Sequence, residues 1–538
     1  MFSVTDKESL FAIAIDEPQA PDFKIIRING SEAISTLFEF ELQLVTDGQD
    51  LDMLELIGKK VTLAVRSDVN AAPHYYHGIF REIEQQNRSN DLSYYRAVMV
   101  PRLWKTSLNK INDVATHVTP PNLVVQKLRE SDFTSDDFSL SLTRSYEARD
   151  FIAQFEESTF AFISRTMEYR GIYYFFEHAD SKDGLDVVHM VDHLQAHPAQ
   201  TLNLTFTSQE NIKVGNTQGF VTNLFCKARI QPASITLTGY NPQKASMQPH
   251  MRNTANLAGS GYGDVMEFDA APATSDEINL LSRIYAEQMA CQSKVFSGLA
   301  FTAGIRSGHF VQISRHWQQD FNGKLLVTRV SHRGIQSFAA LGINGTESSK
   351  DGVQTTYECS FEAIPANTQF RAPRSTPKPK ICGLLNAKID SGEAVPVGNN
   401  SAVFEDGQYK VQPFYLKDAK SPGNGSPLLR MLTPYAGSQT GVQFGLREGC
   451  EVLLAFVNGD PDLPVIVGAA FNSQEKSVLE PFNKSEHVIM THSGASILFD
   501  DTASKEKIVI FNQGSSIIVG KNGQSLIENF ADDLFSLI

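Results

Sequence analysis

The chain has 538 residues, of which 41% are hydrophobic and 20% are charged. This balance supplies enough apolar material for packed cores and excludes a largely disordered or fibrous protein. The 47 Lys and Arg residues against 61 Asp and Glu give a net charge of −14, which argues against a nucleic-acid partner recognised through its phosphates. At roughly 100–200 residues per domain, the length predicts several domains.

The first hundred residues carry the pattern of half-buried strands. Apolar and polar residues alternate with a period of two, which is typical of a strand with one face in a core. Such runs occupy residues 23–28, 38–44, 61–65, 75–80 and 92–100. Residues 51–58 have the composition of a short helix that ends at glycine. We therefore predict a β-rich N-terminal region.

Helical patterns follow in the middle of the chain. Two prolines precede a predicted helix over residues 122–129, and proline is well tolerated in a first helical turn. Residues 148–170 have apolar side chains at helical spacing and stop at Gly171, which predicts a second helix. Thr274 and Glu277 have the spacing of a capping box, ahead of a predicted helix from Ile278 to about residue 290.

A segment rich in proline and basic residues, 364–380, marks a domain boundary. Proline restricts this segment and its neighbours to extended conformations, so we predict an extended, non-helical and exposed linker. The linker separates a first domain over residues 1–363 from a second over residues 381–474. The second has short strands divided by Gly, Asn and Asp turns, which suits a small barrel.

The last segment, residues 475–538, contains short β-runs with glycine at the turns. Such hairpins alone would expose apolar faces and unpaired strand edges. Two arrangements remain open at this point. Several copies of the chain could intertwine and complete one another's edges, or the segment could be an ordinary β-appendage folded back on the barrel.

The five cysteines lie far apart and include no CxxC pair, so we predict free thiols rather than a zinc site or a disulfide framework. The apolar run 10–15 is flanked by acidic residues and does not fit a signal peptide. No stretch approaches the ~20 apolar residues that span a bilayer. The chain is expected to start in the cytoplasm and to leave, if it does, without a signal peptide.

Three stretches of the chain share their order and spacing with one family. The first, 157–178, contains the matching residues Arg165, Glu168, Gly171, Ile172, Tyr174, Phe176, Glu177 and His178. The second is the linker run 371–383. The third, 446–468, contains Gly449, Glu451, Val452, Gly459, Asp460, Pro461, Asp462, Pro464 and Gly468. In these stretches the chain resembles the VgrG spike proteins of the bacterial type VI secretion system, which are similar to a fusion of contractile phage tail hub and spike proteins.

The resemblance implies a mainly β fold with some helices (α+β). Residues 1–363 would form a phage tail hub-like domain with β-barrels and helices, 364–380 the linker, and 381–474 an OB-fold barrel. Residues 475–538 would form an intertwined spike, a triple-stranded β-helix in a trimer, with a short tail. The strand over 407–416 lacks the tryptophan of the family, so a spike of an extracellular contractile injection particle or phage-like tail remains an alternative.

The motif residues are interpreted physically as structural. Phe160, Ile163 and Met167 would form one apolar helical stripe. His178 follows a predicted strand and has no nucleophile at a recognisable spacing, so a structural histidine is favoured over a catalytic one. Residues 458–462 suit a turn, and their two aspartates are too few for a calcium site. We therefore predict no catalytic residue, no metal and no cofactor.

An enzyme is not expected, because the sequence contains no G-x-S-x-G, H-E-x-x-H, Walker A or dinucleotide motif. The run 473–484 between barrel and spike is too short for the lysozyme domain that the phage spike carries there, and we expect no toxic domain after the last strand. A non-catalytic carbohydrate-binding β-module is the alternative class. It would need a row of surface aromatics, whereas Trp104 and Trp317 lie far apart.

The resemblance implies a homotrimeric spike at the tip of a contractile apparatus that punctures membranes and nucleates baseplate and tube assembly. The implied partners are baseplate components, an Hcp-like tube protein, a PAAR-type tip protein, a cargo effector or adaptor and, transiently, the target membrane. The spike would assemble in the cytoplasm and then be secreted into the periplasm or the target cell.

Docking of the tip protein is assigned to the end of the spike, at Ser515, Ile517, Val519, Leu526, Ile527 and Asn529. The last apolar residues either hold such a partner or form a frayed tail: Leu534, Phe535, Leu537 and Ile538. Four acidic residues are expected to form a solvated face: Asp500, Asp501, Asp532 and Asp533.

Overall fold

The computed structural model describes residues 9–47, 51–89, 91–208, 219–250, 252–257, 261–269, 274–341, 354–392, 402–512, 515–520 and 525–529. The chain divides into two compact units. The first comprises Met1–Gly383, Tyr415–Asp418 and Phe456–Pro464, and the second comprises Leu384–Phe414, Ala419–Ala455 and Val465–Ile538. Strands dominate, which confirms the predicted mainly β fold with some helices. No helix in the described ranges has the length and apolar character needed to cross a membrane.

The first unit contains long strands and four helices among its described residues. The first ten strands are β1 Phe11–Ile15, β2 Lys24–Ala33, β3 Thr36–Asp47, β4 Lys60–Val65, β5 His74–Ser89, β6 Leu92–Val100, β7 Ile111–Val118, β8 Phe138–Ser141, β9 Arg149–Glu157 and β10 Tyr173–His178. The next ten are β11 Asp186–Val191, β12 Thr201–Phe206, β13 Phe220–Ala228, β14 Ser234–Gly239, β15 Arg252–Asn256, β16 Asp264–Asp269, β17 Lys294–Ala300, β18 Phe310–Ser314, β19 Gly323–Ile335 and β20 Thr356–Pro365. The helices are α1 Met53–Leu56, α2 Pro120–Arg129, α3 Thr159–Arg170 and α4 Ser275–Ala290.

One large sheet organises the first unit. Its strand order is β1-β4-β5-β6-β3-β2-β19-β18-β12-β13-β17-β20. Because β20 pairs with both β17 and β19, the six strands from β19 to β20 close into a barrel. The other six continue from β19 through β2 and end at β1. Apolar side chains from β1–β6 and from α2 and α3 belong to one buried core.

A glutamine side chain joins β1 to β2, the two end strands of the six-stranded part of the sheet that runs β1-β4-β5-β6-β3-β2. The buried amide of Gln336 accepts hydrogen bonds from the backbone N–H groups of Leu10 and Phe11 at 2.5 and 2.9 Å. It donates to the carbonyls of Phe11 and Ile25 at 3.3 and 2.7 Å. One side chain thus satisfies backbone groups that would otherwise lack partners in the interior.

We expect Gln336→Ala to destabilise the first unit by at least about 2 kcal/mol, because buried N–H and C=O groups lose their partners. Urea unfolding followed by fluorescence measures this change. Gln86→Ala, on an exposed stretch of β5, is the matched control and should leave the midpoint unchanged. Equal midpoints for the two variants would contradict the bridging role of the Gln336 amide.

The predicted helix over residues 148–170 is wrong in its first half. Residues 149–157 form β9, which pairs antiparallel with β7. Phe151, Ile152 and Ala153 are all buried on this strand, and such a short continuous apolar run does not by itself distinguish a strand from a helix. Helix α3 begins only after Ser158, whose Oγ accepts a hydrogen bond from the Ala161 N–H at 3.1 Å. The helix ends at Gly171, as predicted.

The other two predicted helices are present. Helix α2 begins after Thr119, whose side chain accepts from the N–H of Asn122, and has prolines in its first turn. Helix α4 begins after Thr274, whose Oγ1 accepts from the N–H of Glu277 at 3.2 Å, so it starts three residues before Ile278. It packs with the three-stranded sheet β15-β14-β16 in a separate apolar cluster.

The second unit contains short strands in three sheets among its described residues. The barrel region has β21 Leu385–Ile389, β22 Val411–Pro413, β23 Tyr435–Gly437, β24 Thr440–Val442, β25 Glu451–Phe456 and β26 Pro464–Ala469. Four of these form a sheet in the order β22-β21-β25-β26, while β23 and β24 pair with each other. The last sheet, β27-β28-β29-β30-β31, comprises Glu486–Met490, Ser496–Asp500, Lys507–Asn512, Ser515–Gly520 and Ser525–Asn529.

The five strands of the last sheet form an antiparallel meander within one chain. The residues alone left open whether sister copies complete the strand edges of this segment, and the family resemblance implied that they do. Within one chain β28, β29 and β30 are each paired on both sides by strands of the same chain. Among the described strands, the outer sides of β27 and β31 are the edges of this sheet.

Candidate functional site

The first family motif forms a buried ion pair at the start of α3. The Arg165 guanidinium donates to both carboxylate oxygens of Glu157 at 2.6–3.1 Å. Its Nη2 also donates to the Ala153 carbonyl at 2.8 Å. Both charged side chains are buried. Such a bidentate pair fixes the direction in which α3 leaves β9.

The third motif meets the linker at the same place. Asp462 Oδ1 accepts from the Ala153 N–H at 2.7 Å, and Asp462 Oδ2 lies 2.6 Å from the ammonium of Lys378. Asp460 Oδ1 lies 2.5 Å from the same ammonium and accepts from the N–H of Asp462 at 2.9 Å. All these residues belong to the first unit. The two aspartates, interpreted from the sequence as turn residues, therefore bind a lysine.

A second acidic residue of the first motif, Glu168, binds the linker two residues before Lys378. Glu168 accepts from the Thr376 N–H at 3.0 Å and from the Thr376 hydroxyl at 2.8 Å. The Ser375 hydroxyl donates to the same carboxylate at 3.4 Å. We call Arg165, Glu168, Thr376, Lys378, Asp460 and Asp462 the motif cluster. In it the three stretches that carry the family resemblance come together.

The linker is extended and non-helical, as predicted, but its first residues are not exposed. Arg371 is buried and its Nε donates to Glu287 at 2.7 Å. Its Nη1 donates to the carbonyls of Gly171 and Asp192 at 2.8 and 2.6 Å. The expectation failed here because an arginine with acceptors on several elements can be buried at little net loss.

Charge pairing decides the ionisation of the motif cluster. Burial opposes the charge of Asp462, but Lys378 and Arg165 outweigh it and hold the pKa of Asp462 below its ordinary value. Burial and the neighbouring Asp462 raise the pKa of Asp460. Burial also raises the pKa of Glu168, against the hydrogen bonds from Thr376 and Ser375. Asp462 therefore resists protonation more strongly than Asp460 does.

The motif cluster lines a cavity of about 480 Å³ whose other walls carry more arginines. Arg149 and Arg170 both bind Glu277, the first at 2.8 Å. Arg374 binds Glu267 at 2.8 and 2.9 Å. In the described part of the chain, no group of three His, Cys, Asp or Glu side chains is placed to hold a metal ion. The arrangement is one of cations matched with carboxylates, which suits the fastening of chain segments to one another.

A second anchor lies beside the buried Arg371. Asp192 accepts hydrogen bonds from Thr143 at 2.9 and 3.0 Å, from Arg144 at 3.1 and 3.2 Å and from the Tyr146 hydroxyl at 3.0 Å. Burial alone would raise the pKa of Asp192, but these donors hold it far below the ordinary value of 3.8. The folded carboxylate therefore resists protonation more than the unfolded one does.

This anchor predicts a pH dependence of stability. Because the folded pKa of Asp192 is lowered, its contribution is complete above pH 3.8 and is lost as the pH falls below that value. Asp192→Asn should lower the free energy of unfolding by about 2 kcal/mol at neutral pH. When the pH falls from about 5 to 3, the variant should then lose less stability than the parent chain does. Urea midpoints measured across this range test it, with the exposed Asp136→Asn as control. Parallel pH curves for Asp192→Asn and the parent would contradict it.

Other residues of the first motif shape the core behind the cluster. Gly171 has φ of +68°, where a side chain is strained, and a Cβ there would lie 3.0 Å from Ile284. Tyr174 and Phe176 are buried on β10 with their rings in an edge-to-face contact. These three motif residues therefore serve the turn and the packing of the strand that follows α3.

The last two residues of the first motif lie at the end of β10. His178 is buried, and its Nδ1 accepts from the His77 N–H at 3.0 Å. Burial lowers the pKa of His178 well below its ordinary value, so the ring is neutral. Glu177 has its carboxylate oxygens 3.9 Å from the Nε2 atoms of His189 and His309. These contacts give His178 the surroundings of a packed core residue.

The other residues of the third motif belong to β25, β26 and the turns around them. Gly449 and Gly459 both have positive φ, of 85° and 72°, which glycine adopts without strain. Val452 is fully buried on β25. The rest are distributed along the two strands and their turn: Glu451 on β25, Pro461 in the turn, and Pro464 and Gly468 on β26.

The last sheet carries a second candidate site, an apolar face. Directly opposite residues on antiparallel strands point to the same side. The register places Ile489, Ile497, Ile510 and Ile517 in one row. The neighbouring row on this side contains Phe499, Ile508 and Val519. We call these seven residues the spike face.

The spike face is open to water in a single chain. Ile489 is 44% exposed, Ile510 45% and Ile517 41%. Of the residues assigned to tip docking, Ile517 and Val519 belong to this face, and Ser515 lies on the same strand, β30. Leu526, Ile527 and Asn529 lie on β31, where the backbone of Ile527 is opposite Ile517. The apolar C-terminal residues Leu534, Phe535, Leu537 and Ile538 and the acidic Asp532 and Asp533 lie outside the described residues.

Sequence reasoning missed the linker as a partner of the two acidic motifs. The signal was present, since each of the three stretches carries charged residues among apolar ones and the charges are complementary. The sequence reasoning also did not predict that the spike-face residues of successive strands lie side by side in one row. Aligning the β-runs 494–500, 507–511 and 514–520 in antiparallel register would have found it.

Comparison with known proteins agrees with the three-motif resemblance. The family model for the phage tail baseplate hub (GPD) matches residues 31–338, which is more than half of the chain. The model for the type VI secretion system/phage-baseplate injector OB domain matches residues 410–471.

Similar curated proteins include spike proteins of Pseudomonas aeruginosa. The type VI secretion system spike protein VgrG1a is 24% identical over 530 residues, covering 96% of this chain and 79% of that protein. VgrG1c is 25% identical over 527 residues, covering 95% and 70%. The actin cross-linking toxin VgrG1 of Vibrio cholerae is 25% identical, but the chain spans only 43% of its length.

Solved structures share the fold. The E. coli c3393 protein, a component of the type VI secretion system, has a TM-score of 0.60 at 19% identity, covering 85% of this chain and 99% of that one. One chain of the lidded Francisella PdpA–VgrG complex has a TM-score of 0.65 at 11% identity, covering 96% of this chain and 79% of that one. These findings confirm the predicted resemblance. The chain belongs to the phage tail baseplate hub (GPD) family, and within it is a spike protein of the VgrG type.

Proposed function

We propose that the chain forms the homotrimeric, membrane-puncturing spike at the tip of a contractile type VI secretion apparatus. The observation that supports this most is the spike face, which a single chain leaves open to water. The proposed action is mechanical and non-enzymatic: contraction of the apparatus moves the spike, and the chain itself makes and breaks no bond.

The spike face is better suited to association than to solvent. Monomeric proteins rarely expose a continuous apolar patch, and burial gains about 25 cal/mol per Å². A face made by one meander can pack against the same face of other copies around an axis. Membership of the hub and spike family favours three copies, since the family resemblance implies a trimer. Three such sheets would enclose their apolar faces in a stiff prism.

The partners follow from the same proposal. A PAAR-type tip protein would dock at the end of the spike, where β31 is an edge strand that offers main-chain groups. An Hcp-like tube protein, baseplate components and a cargo effector or adaptor are proposed from family membership. The solved complex of VgrG with PdpA supports partner binding by a relative. Assembly in the cytoplasm, secretion by the apparatus and transient contact with the target membrane belong to the same proposal.

The solution mass of the purified full-length protein tests the trimer. We expect three times the chain mass of 59.5 kDa by light scattering at micromolar concentration. A monodisperse monomer would contradict the proposal and favour the binding-module alternative. Hydrolysis of peptidoglycan by the pure protein would contradict the non-enzymatic role.

A further inference from the structure

The loop between β17 and β18, residues 301–309, lies in the interior of the first unit, and we call it the buried loop. Its residues Ala303 and Ile305 are buried and belong to the large core. The Gly308 N–H donates to the Val327 carbonyl at 2.9 Å. Loops usually run over the surface, because buried backbone groups need partners. The polar contacts of the buried loop therefore decide how firmly it is held.

Arg306 places a positive charge inside the buried loop. Its Nη2 donates to the Tyr75 carbonyl at 3.0 Å, and its Nη1 to the His178 carbonyl at 3.5 Å. Arg306 is buried, its Nε has no hydrogen-bond partner, and it forms no ion pair with any carboxylate that the structure describes. A second positive charge taken up beside this guanidinium would be disfavoured, because like charges repel strongly in the interior.

His178 lies against this guanidinium in a geometry that excludes a second proton. Its Nδ1 accepts a hydrogen bond from the His77 backbone N–H at 3.0 Å, so the neutral ring carries its proton on Nε2. A further proton would have to bind Nδ1, at the place that the His77 N–H occupies. Burial, and then the charge of Arg306, hold the pKa of His178 well below its ordinary value of 6.5. The ring can therefore take up a proton only if this contact opens.

The acidic side chains on the surrounding strands have other partners. Glu32 on β2 accepts from the Ser307 hydroxyl at 3.1 Å and lies 3.1 Å from the Nε2 of His332 on β19. Asp186 on β11 accepts from the Arg102 N–H at 2.7 Å and pairs with the Arg102 guanidinium. Neither acid compensates a charge on the imidazole of β10. The other titratable side chains that face this imidazole are Tyr76 and His77 on β5 and His309 in the buried loop.

His197, in the short segment before β12, holds the other end of the buried loop. Its Nδ1 donates to the Gly308 carbonyl at 2.7 Å, and its Nε2 accepts from the Tyr173 hydroxyl at 3.0 Å. The other titratable groups that face it are His193 and His309. Burial lowers the pKa of His197 to about 4, against the hydrogen bond to Gly308. The closed ring is therefore neutral at pH 5.5, where an exposed imidazole is mostly charged.

We propose that the buried loop is an acid-sensitive latch, which is closed at neutral pH and opens locally in mildly acidic solution when His178 and His197 take up protons. An exposed imidazole binds a proton below about pH 6.5 and the closed rings do not, so the open form gains as the pH falls through that value. Between pH 7.5 and 5.5 each ring should multiply the opening equilibrium constant by about ten, and the two together by about a hundred. The latch lies within the first unit and does not depend on the proposed trimer.

Hydrogen–deuterium exchange of the full-length protein tests the latch, with each exchange rate divided by that of the unprotected amide at the same pH. Peptides that cover residues 301–309 should lose protection about a hundredfold between pH 7.5 and 5.5, whereas helix α2 keeps its protection. His178→Asn and His197→Asn retain a polar group near the position of Nδ1 but cannot become charged. Each should reduce the change to about tenfold. His117→Asn, at an exposed histidine of β7, is the matched control and should behave as the parent does.

The change between the two pH values is compared within each variant, so a general loss of stability does not affect the result. Equal changes for His178→Asn, His197→Asn and the control would overturn the latch, and if one of the two variants failed to fold, the other would still decide. Loss of protection in α2 together with the loop would also overturn it, because the whole unit would then be unfolding. A monomeric mass in solution would contradict the proposed trimer and leave the latch intact.

Discussion

Replacing Ile510 by aspartate should convert the full-length trimer to monomers at micromolar concentration. Ile510 lies in the isoleucine row of β29, in the middle of the spike face. Its burial in three copies is worth on the order of 5 kcal/mol per trimer, and three carboxylates in an apolar interface add a desolvation penalty. The change in mass is measured by light scattering over a dilution series.

The control for this variant is Lys505→Asp, which also places an aspartate at an exposed position, in the turn before β29. It should retain the trimer. A trimer in Ile510→Asp, of the same stability as the parent, would contradict the role of the spike face. Unfolding of the first unit is not expected in either variant, and its cooperative urea transition checks this.

Asp462→Ala should destabilise the first unit by about 3–5 kcal/mol, the range for breaking one side of a buried ion pair. The substitution leaves the Ala153 N–H without its acceptor and takes from Lys378 one of its two carboxylates. Asp462→Asn keeps an oxygen for Ala153 and should lose less. Urea unfolding followed by circular dichroism measures both changes.

Asp418→Ala, at an exposed position of the same unit, is the matched control for the motif cluster and should be neutral. If Asp462→Ala were as stable as this control, the third motif would not fasten the linker. If Asp462→Asn lost as much stability as the alanine variant, the Ala153 hydrogen bond would contribute little and the charge would dominate.

Family and fold class could be predicted from the sequence because the motifs contain residues at helix ends and turns, where the backbone conformation restricts the residue type. Gly171 ends α3 with a positive φ, and Gly459 turns the chain before Asp460 with another. Such positions restrict the residue type strongly, so they are recognisable without the tertiary structure. The linker was likewise found from its prolines. The same signals could not tell which side chains the three stretches would bring together.

The errors have physical causes as well. On β9, Phe151, Ile152 and Ala153 form a short buried run, which fits either a strand or a helix, and pairing with β7 decides between them. Arg371 was expected at the surface because arginine usually lies there. Its burial depends on acceptors from Gly171, Asp192 and Glu287, which are far away in sequence.

Electron cryomicroscopy of the purified full-length protein would show directly where the spike faces of the chains lie. We predict particles with three chains in which Ile489, Ile510 and Ile517 of every chain point towards a common three-fold axis. Particles that contain one chain, or three chains whose isoleucine rows point outwards to solvent, would contradict it.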